Sequence, residues 1–127
     1  MAGPPYWRQR AADDPVEVRP IHDGDGAVSV RRLFRGLTTT GLNLHVWELP
    51  PGGSEGRHTH RATDPSDAFE EVYYVLSGRG VIELEGGDIP LEQDDAVLVP
   101  VDVDHGLRCV GDAPLRILLA FAHPVRP

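Results

Sequence analysis

The sequence predicts an all-β fold, a barrel or sandwich of short strands. Three observations predict it. Short runs of β-branched and other apolar residues recur along the chain, clusters of Gly, Pro and Asp punctuate them at regular intervals, and no amphipathic helix of ordinary length competes. The length of 127 residues suits one domain around one core. Two sections are expected: an N-terminal arm over residues 1–20, rich in proline and charge, and a β-domain over residues 21–127.

The arm contains Pro4, Pro5, Tyr6, Trp7, Arg8 and Arg10, and its two aromatic rings offer packing against the β-domain or a second subunit; a frayed terminus is the alternative. Asp23-Gly24-Asp25-Gly26 then supplies glycines able to take positive φ, and is read as a hairpin turn before a strand over 27–33. It opens like a calcium loop, but the remainder of that pattern is absent. Over 42–49, Leu42, Leu44, Val46 and Glu48 alternate with Asn43, His45, Trp47 and Leu49, and Pro50-Pro51-Gly52-Gly53 ends the run. Either face could line the interior; if the second does, His45 and Trp47 approach the site described next.

Gly52 to His60 reads as turn and extended strand, so His58 and His60 fall on one face with Thr59 turned away. Two neighbouring imidazoles suit a divalent transition metal, and a carboxylate from another strand would add an oxygen donor. Glu71 is that candidate, after an acidic loop over 61–70 in which Asp64-Pro65-Ser66-Asp67-Ala68-Phe69 fits one helical turn. Strands follow over 71–77, 81–85, 89–91, 96–100, 105–110 and 115–122, with turns at Gly78-Arg79-Gly80 and Gly86-Gly87-Asp88. His105 opens the strand after Asp104 and completes the candidate set His58, His60, Glu71 and His105.

The spacing Gly52, His58-x-His60, Glu71, Gly78, followed by Pro100 and His105, resembles the two signature motifs of the cupin superfamily, over roughly residues 42–123. The resemblance implies a double-stranded β-helix, a jelly-roll barrel, holding one metal between His58, His60, Glu71 and His105. It also implies a range of chemistries (oxygenase, lyase, isomerase, polyketide cyclase) and, in other members, binding without catalysis. The chain departs from the pattern in the ten residues between His60 and Glu71, more than is usual, and in Asp94, Asp102 and Cys109 at positions usually glycine, glycine and asparagine. None of these removes a ligand.

Three neutral imidazoles and one carboxylate leave a divalent ion with net positive charge and, if octahedral, two open positions for a substrate with two oxygens or for dioxygen. Mixed nitrogen and oxygen donors favour iron or manganese; zinc, nickel and cobalt remain open. Tyr73, two residues after Glu71, should share its inward face, as should Leu107 and Cys109 after His105. Tyr73 and His45 are the catalytic candidates, Tyr73 as a substrate-orienting group or proton donor; packing inside the fold is the competing role for each. Arg57 and Arg108 could clamp a substrate carboxylate or simply be solvated. His22 and His123 are expected outside the site.

Composition narrows the partners. A net charge of −8 disfavours nucleic acid, and Arg31, Arg32 and Arg35 read as a solvated strand face. All twelve basic residues are arginine, which excludes Schiff-base lysine chemistry and a P-loop lysine. No apolar run is long enough for a membrane span or a signal-peptide core, and the single Cys109 cannot form an internal disulfide, so a cytoplasmic protein is expected. Exposed strand edges and the aromatic arm suggest a homodimer. The sequence therefore points to a metal-dependent enzyme acting on a small oxygen-bearing molecule, with a non-catalytic binding module as the alternative.

Overall fold

The computed structural model describes residue 3 and residues 5–125. Met1, Ala2 and Pro4 of the expected arm, and Arg126 and Pro127 at the other end, lie outside the described residues. A short 3-10 turn at Ala11–Asp13 precedes ten strands: β1 (Glu17–Arg19), β2 (Val28–Leu33), β3 (Asn43–Leu49), β4 (Ser54–His58), β5 (Glu70–Ser77), β6 (Arg79–Leu84), β7 (Ile89–Leu91), β8 (Ala96–Val99), β9 (His105–Val110) and β10 (Leu115–Ala122). No helix among the described residues is long and apolar enough to cross a membrane.

The strands form two open antiparallel sheets, ordered β1-β2-β3-β10-β5-β8 and β4-β9-β6-β7. This corrects the expected jelly-roll barrel. The fold is all-β with two sheets, but among the described residues no ladder joins them, and the outermost strands, β1 and β8 on one and β4 and β7 on the other, have no strand partner on their outer side, where β4 carries an isolated bridge from Glu55 to Ile21. Alternation encodes which side of a strand is buried, whereas closure needs edge strands that can hydrogen-bond to each other. Here β1 and β7 are three residues long, Pro90 sits within β7, and Pro20 and Pro100 directly follow β1 and β8. Short, proline-marked edges of this kind resist further pairing.

Strand positions were otherwise close to expectation, with β1 unforeseen. The 23–26 turn lies inside the longer connection of the β1–β2 hairpin, whose strands pair from Glu17↔Val30 to Arg19↔Val28. Gly78 behaves differently from the expected hairpin turn. Strand β5 belongs to the six-stranded sheet and β6 to the four-stranded one, so Gly78 is the corner at which the chain changes sheets. Its φ of +83° and the 2.2 Å that would separate a Cβ from Pro114 O leave room only for glycine.

The sheets face each other across a core that includes Val30, Leu49, Tyr73, Val75, Ile117 and Leu119 from the larger sheet and Ile82, Leu107 and Cys109 from the smaller. On β3 the buried side carries Trp47 and Leu49, so the second of the two candidate faces points inward and brings His45 with it. Register then orders the inward side chains into rows. Arg32, His45, Leu119, Tyr73 and Val97 are successive cross-strand partners, and Asn43, Phe121, Glu71 and Val99 form the next row. The site lies where this second row meets the ends of β4 and β9.

Candidate metal centre

His58 ends β4 and His105 begins β9, and the two are register partners. His60 lies just beyond β4, and Glu71 is the second residue of β5 in the opposite sheet. The sandwich therefore presses one carboxylate against three imidazoles. Donor atoms of all four lie within 4.8 Å of one another. Glu71 Oε1 is 2.8 Å from His60 Nε2, 2.9 Å from His105 Nε2 and 3.9 Å from His58 Nε2, and the Nε2 atoms of His58 and His60 are 3.2 Å apart.

The other nitrogen of each ring is already engaged. Nδ1–H of His58 donates to Gly56 O at 2.8 Å, that of His105 to Val103 O at 2.9 Å, and that of His60 to Asp67 Oδ1 at 3.0 Å. These bonds fix the tautomer that leaves Nε2 for a ligand bond and hold the ring planes, as outer partners of metal-bound histidines do. Neighbouring donors around an ion held at about 2.1 Å lie about 3 Å apart, which the shorter separations here match. The residues fit a divalent metal: a cluster of three histidines and one glutamate, consistent with the active site of a metal-dependent enzyme.

Electrostatics of the metal-free cluster follow from burial and contact. The Glu71 carboxylate beside it raises His60 to about 9. Burial works to raise Glu71, but hydrogen bonds from His105 and His60 prevail and hold it at about 2. Burial likewise opposes charge on His105, and the Glu71 hydrogen bond overcomes it to raise the imidazole. His58 is lowered to about 4, chiefly by burial. Protons and a metal thus compete for the same lone pairs.

Two groups join the site that sequence reasoning did not place there. Glu55 is 1% exposed, with Oε2 3.7 Å from His58 Nε2. Burial, reinforced by the charge of Glu71, raises its carboxyl to about 8. Glu55 lies three positions before His58, so strict alternation would turn it outward. The register advances two residues on β9 (Leu107 to His105) against three on β4 (Glu55 to His58), and this bulge turns both inward. His22, expected outside, stacks on His58 with ring centroids 3.6 Å apart and planes 13° apart. It reaches there because residues 21–24 are pressed on β4: the N–H groups of Gly24 and Gly56 both donate to Ile21 O, at 2.9 and 3.0 Å. His22, Glu55 and His58 form a second group of potential donors that shares His58 with the first.

The remaining candidates divide. Tyr73 is fully buried, and its hydroxyl donates to Glu55 Oε1 at 2.8 Å. His45 faces a cavity of about 510 Å³ that also reaches His60, Glu71 and Glu55, and its Nδ1 accepts the indole N–H of Trp47 at 3.2 Å. Burial, then the charge of Arg32, lowers His45 to about 4. Arg57 pairs with Asp104 and Arg108 with Glu83, both away from the cavity. Cys109 donates to Ala113 O within the core. The 61–69 loop makes a hydrogen-bonded turn, Asp67 N–H to Asp64 O, and reaches back to the site through Asp67. His123 stacks on Phe69 of that loop at 4.4 Å.

The chain matches the model of the Cupin domain over residues 45–121. It belongs to the cupin family. Among cupin relatives, "Polyketide synthase CurC" of Streptomyces cyaneus is 32% identical over 112 residues, covering 88% of this chain and 67% of that protein. The "Oxalate-binding protein" of Thermotoga maritima is 32% identical over 106 residues, 82% of this chain and 83% of that one. Among solved structures, that of a predicted oxalate decarboxylase from Thermotoga maritima superposes with a TM-score of 0.80 at 24% identity, covering 91% and 97% of the two chains. A cupin protein from Bacteroides fragilis gives 0.70 at 22% identity over 98% and 90%. These likenesses establish the cupin fold, and the cluster of three imidazoles and one carboxylate is consistent with a metal-dependent cupin enzyme.

Proposed function

We propose that this cupin is a metal-dependent enzyme whose substrate is a small, oxygen-rich organic molecule that chelates the metal through two oxygens. The observation that carries the reading is the convergence of three Nε2 atoms and Glu71 Oε1 beside an open cavity. His58, His60, Glu71 and His105 hold the ion, and mixed nitrogen and oxygen donors favour iron or manganese. When bound, it supplies Lewis acidity to substrate oxygens and, if redox-active, access to oxygen chemistry.

The chain's own residues supply the rest. Glu55, kept protonated up to about 8, holds a proton beside the cluster and can exchange it with substrate across the cavity. Tyr73 acts through Glu55: its hydroxyl fixes the carboxyl rotamer, which makes it a positioning residue. His45 presents its ring to the cavity as a substrate contact. Proton transfer next to a carbonyl, leading to cyclisation, isomerisation or elimination, is the chemistry this arrangement serves best. Two Streptomyces relatives named as polyketide synthase proteins, one 32% and one 29% identical, support that class.

The relative named as an oxalate-binding protein favours a second reading, capture of a small chelating acid without turnover. Two copies of the chain are proposed to associate through the outer face of the larger sheet, where Leu33, Leu44, Ala120, Val72 and Leu98 form a cross-strand apolar row with Leu98 60% exposed. The functional test is deuterium exchange at the central carbon of 1,3-diketones and of 3-oxo acids, using protein reconstituted with iron(II), manganese(II) or zinc(II). Metal-dependent exchange that Glu55→Gln abolishes supports the enzyme; tight binding with no exchange and no oxygen uptake supports the binding module.

A further inference from the structure

The wall of the cavity opposite the metal cluster is basic, in a chain of net charge −8. Arg19 and Arg32 both line it, and Arg35 lines the adjoining cavity that shares Arg32, Asn43 and His45 with it. The sequence suggested that Arg31, Arg32 and Arg35 formed one solvated face, but the strand divides them. Arg31 turns outward to Asp14 at 2.7 Å, while Arg32 follows Val28 and Val30 on the inward side of β2.

On this wall, among the described residues, Glu17 alone offsets the charge, and it is shared. Its Oε2 lies 3.3 Å from Arg19 Nε and 3.4 Å from Arg32 Nη2, and its Oε1 lies 3.3 Å from Arg32 Nε without the alignment of a hydrogen bond. One carboxylate between two guanidiniums leaves an excess of positive charge, and the Nη1 corner of Arg32 stands outside the pair. Arg32 and His45 are direct cross-strand partners, so guanidinium and imidazole rise from adjacent strands side by side. Because Trp47 N–H can only donate, His45 Nδ1 is an acceptor, and a neutral ring then carries its proton on Nε2 as a donor.

We propose that Arg32 and His45 form an anion subsite that receives the carboxylate of a substrate whose oxygen donors lie at the metal cluster. The inference rests on the metal-enzyme reading for the second half of that sentence, and on this wall alone for the first. Strands β2 and β5 are separated by β3 and β10, three interstrand steps of about 4.8 Å, so about 14 Å of sheet separates the backbone of Arg32 from that of Glu71. With both side chains reaching inward, the gap suits a ligand of one or two rings. Phe69, Phe121, Trp47 and Leu119 line the space between and would pack on an unsaturated or aromatic body. The substrate class is therefore an aromatic or polyunsaturated carboxylic acid with chelating oxygens at its other end. A guanidinium corner and an imidazole N–H select the acid over its neutral amide, because a charge-assisted hydrogen bond is stronger than a neutral one.

Phenylacetate and phenylacetamide, alike in shape and different in charge, are the probes. Each is titrated into the metal-free and the zinc-loaded chain, with Trp47 indole N–H shifts read by NMR and metal content measured on the same samples. The metal-free wild type should bind the acid at least tenfold more tightly than the amide, with the Trp47 signal moving. Arg32→Gln should remove that preference while leaving amide binding intact, which a merely structural arginine would not do. Arg32→Lys, which keeps the charge and so protects the fold, should retain part of it. Equal binding of acid and amide by the wild type, or a preference that survives Arg32→Gln, overturns the subsite. An acid preference in a chain that never takes up metal upholds the subsite while removing the metal-enzyme reading; a loaded chain without the preference does the reverse.

Discussion

The Tyr73 hydroxyl donates to Glu55 Oε1 at 2.8 Å, and both side chains are buried. The two come from opposite sheets, Tyr73 from β5 and Glu55 from β4, so the bond is also a tie across the sandwich. It leaves Glu55 Oε2 as the carboxyl oxygen nearer His58. The Tyr73 ring also lies near the cluster, with its centroid 6.0 Å from that of His105.

Tyr73→Phe removes the donor and leaves Glu55 Oε1 unpaired in the interior. A loss of about 1–3 kcal/mol in urea denaturation is expected, with metal content unchanged. Loss of metal at unchanged stability would instead make Tyr73 a direct part of the centre.

Glu55 gives the metal-free protein a pH signature. Its folded-state value of about 8 lies above the ordinary 4.5, so its contribution to stability is complete below about 4.5 and is lost as pH rises through about 8. Glu55→Gln cannot titrate, and its stability should decline less over that window. Parallel pH–stability curves for the two proteins would contradict the assignment.

Metal binding should release protons. His60, held at about 9, carries a proton at neutral pH in the metal-free cluster, the Glu71 hydrogen bond shifts His105 in the same direction, and Glu71 at about 2 carries none. Calorimetry at pH 7 in buffers of different ionisation enthalpy should therefore register at least about one proton per metal, with affinity rising towards pH 9. A heat independent of buffer would show that the imidazoles were already free.

Gly56 admits the backbone of His22. A Cβ at Gly56 would lie 1.9 Å from His22 O, and one at Gly24 would lie 2.1 Å from Ser54 O. Gly56→Ala should cost at least about 2 kcal/mol and weaken metal retention by displacing residues 21–24. Gly86→Ala, with nothing within 4 Å, is the matched control and should leave metal unchanged. Equal behaviour of the two variants would mean that the close approach is unimportant.

The four-residue cluster was legible because its information is local: the His58-x-His60 pair, Glu71 at a fixed interval before Gly78, and His105 after a proline turn. Parity also carried Tyr73 and Cys109 inward correctly, since β5 and β9 run without a bulge at those points. Glu55 was hidden by the bulge in β4, which breaks the parity that an eye on the sequence must assume. His22 was hidden because a residue 36 positions from His58 is brought to it by two glycines that permit backbone contact. The expected barrel failed for a similar reason: strand pattern constrains faces, while sheet closure depends on edges whose pairing is non-local.

The central claim is that His58, His60, Glu71 and His105 hold one metal ion. Elemental analysis of the purified chain beside Glu71→Ala tests it most directly, with circular dichroism to verify that the variant is folded. The account predicts close to one equivalent of transition metal in the wild type, or after reconstitution, and little in the folded variant. Metal retained by Glu71→Ala, or none in the wild type even after reconstitution, would contradict it.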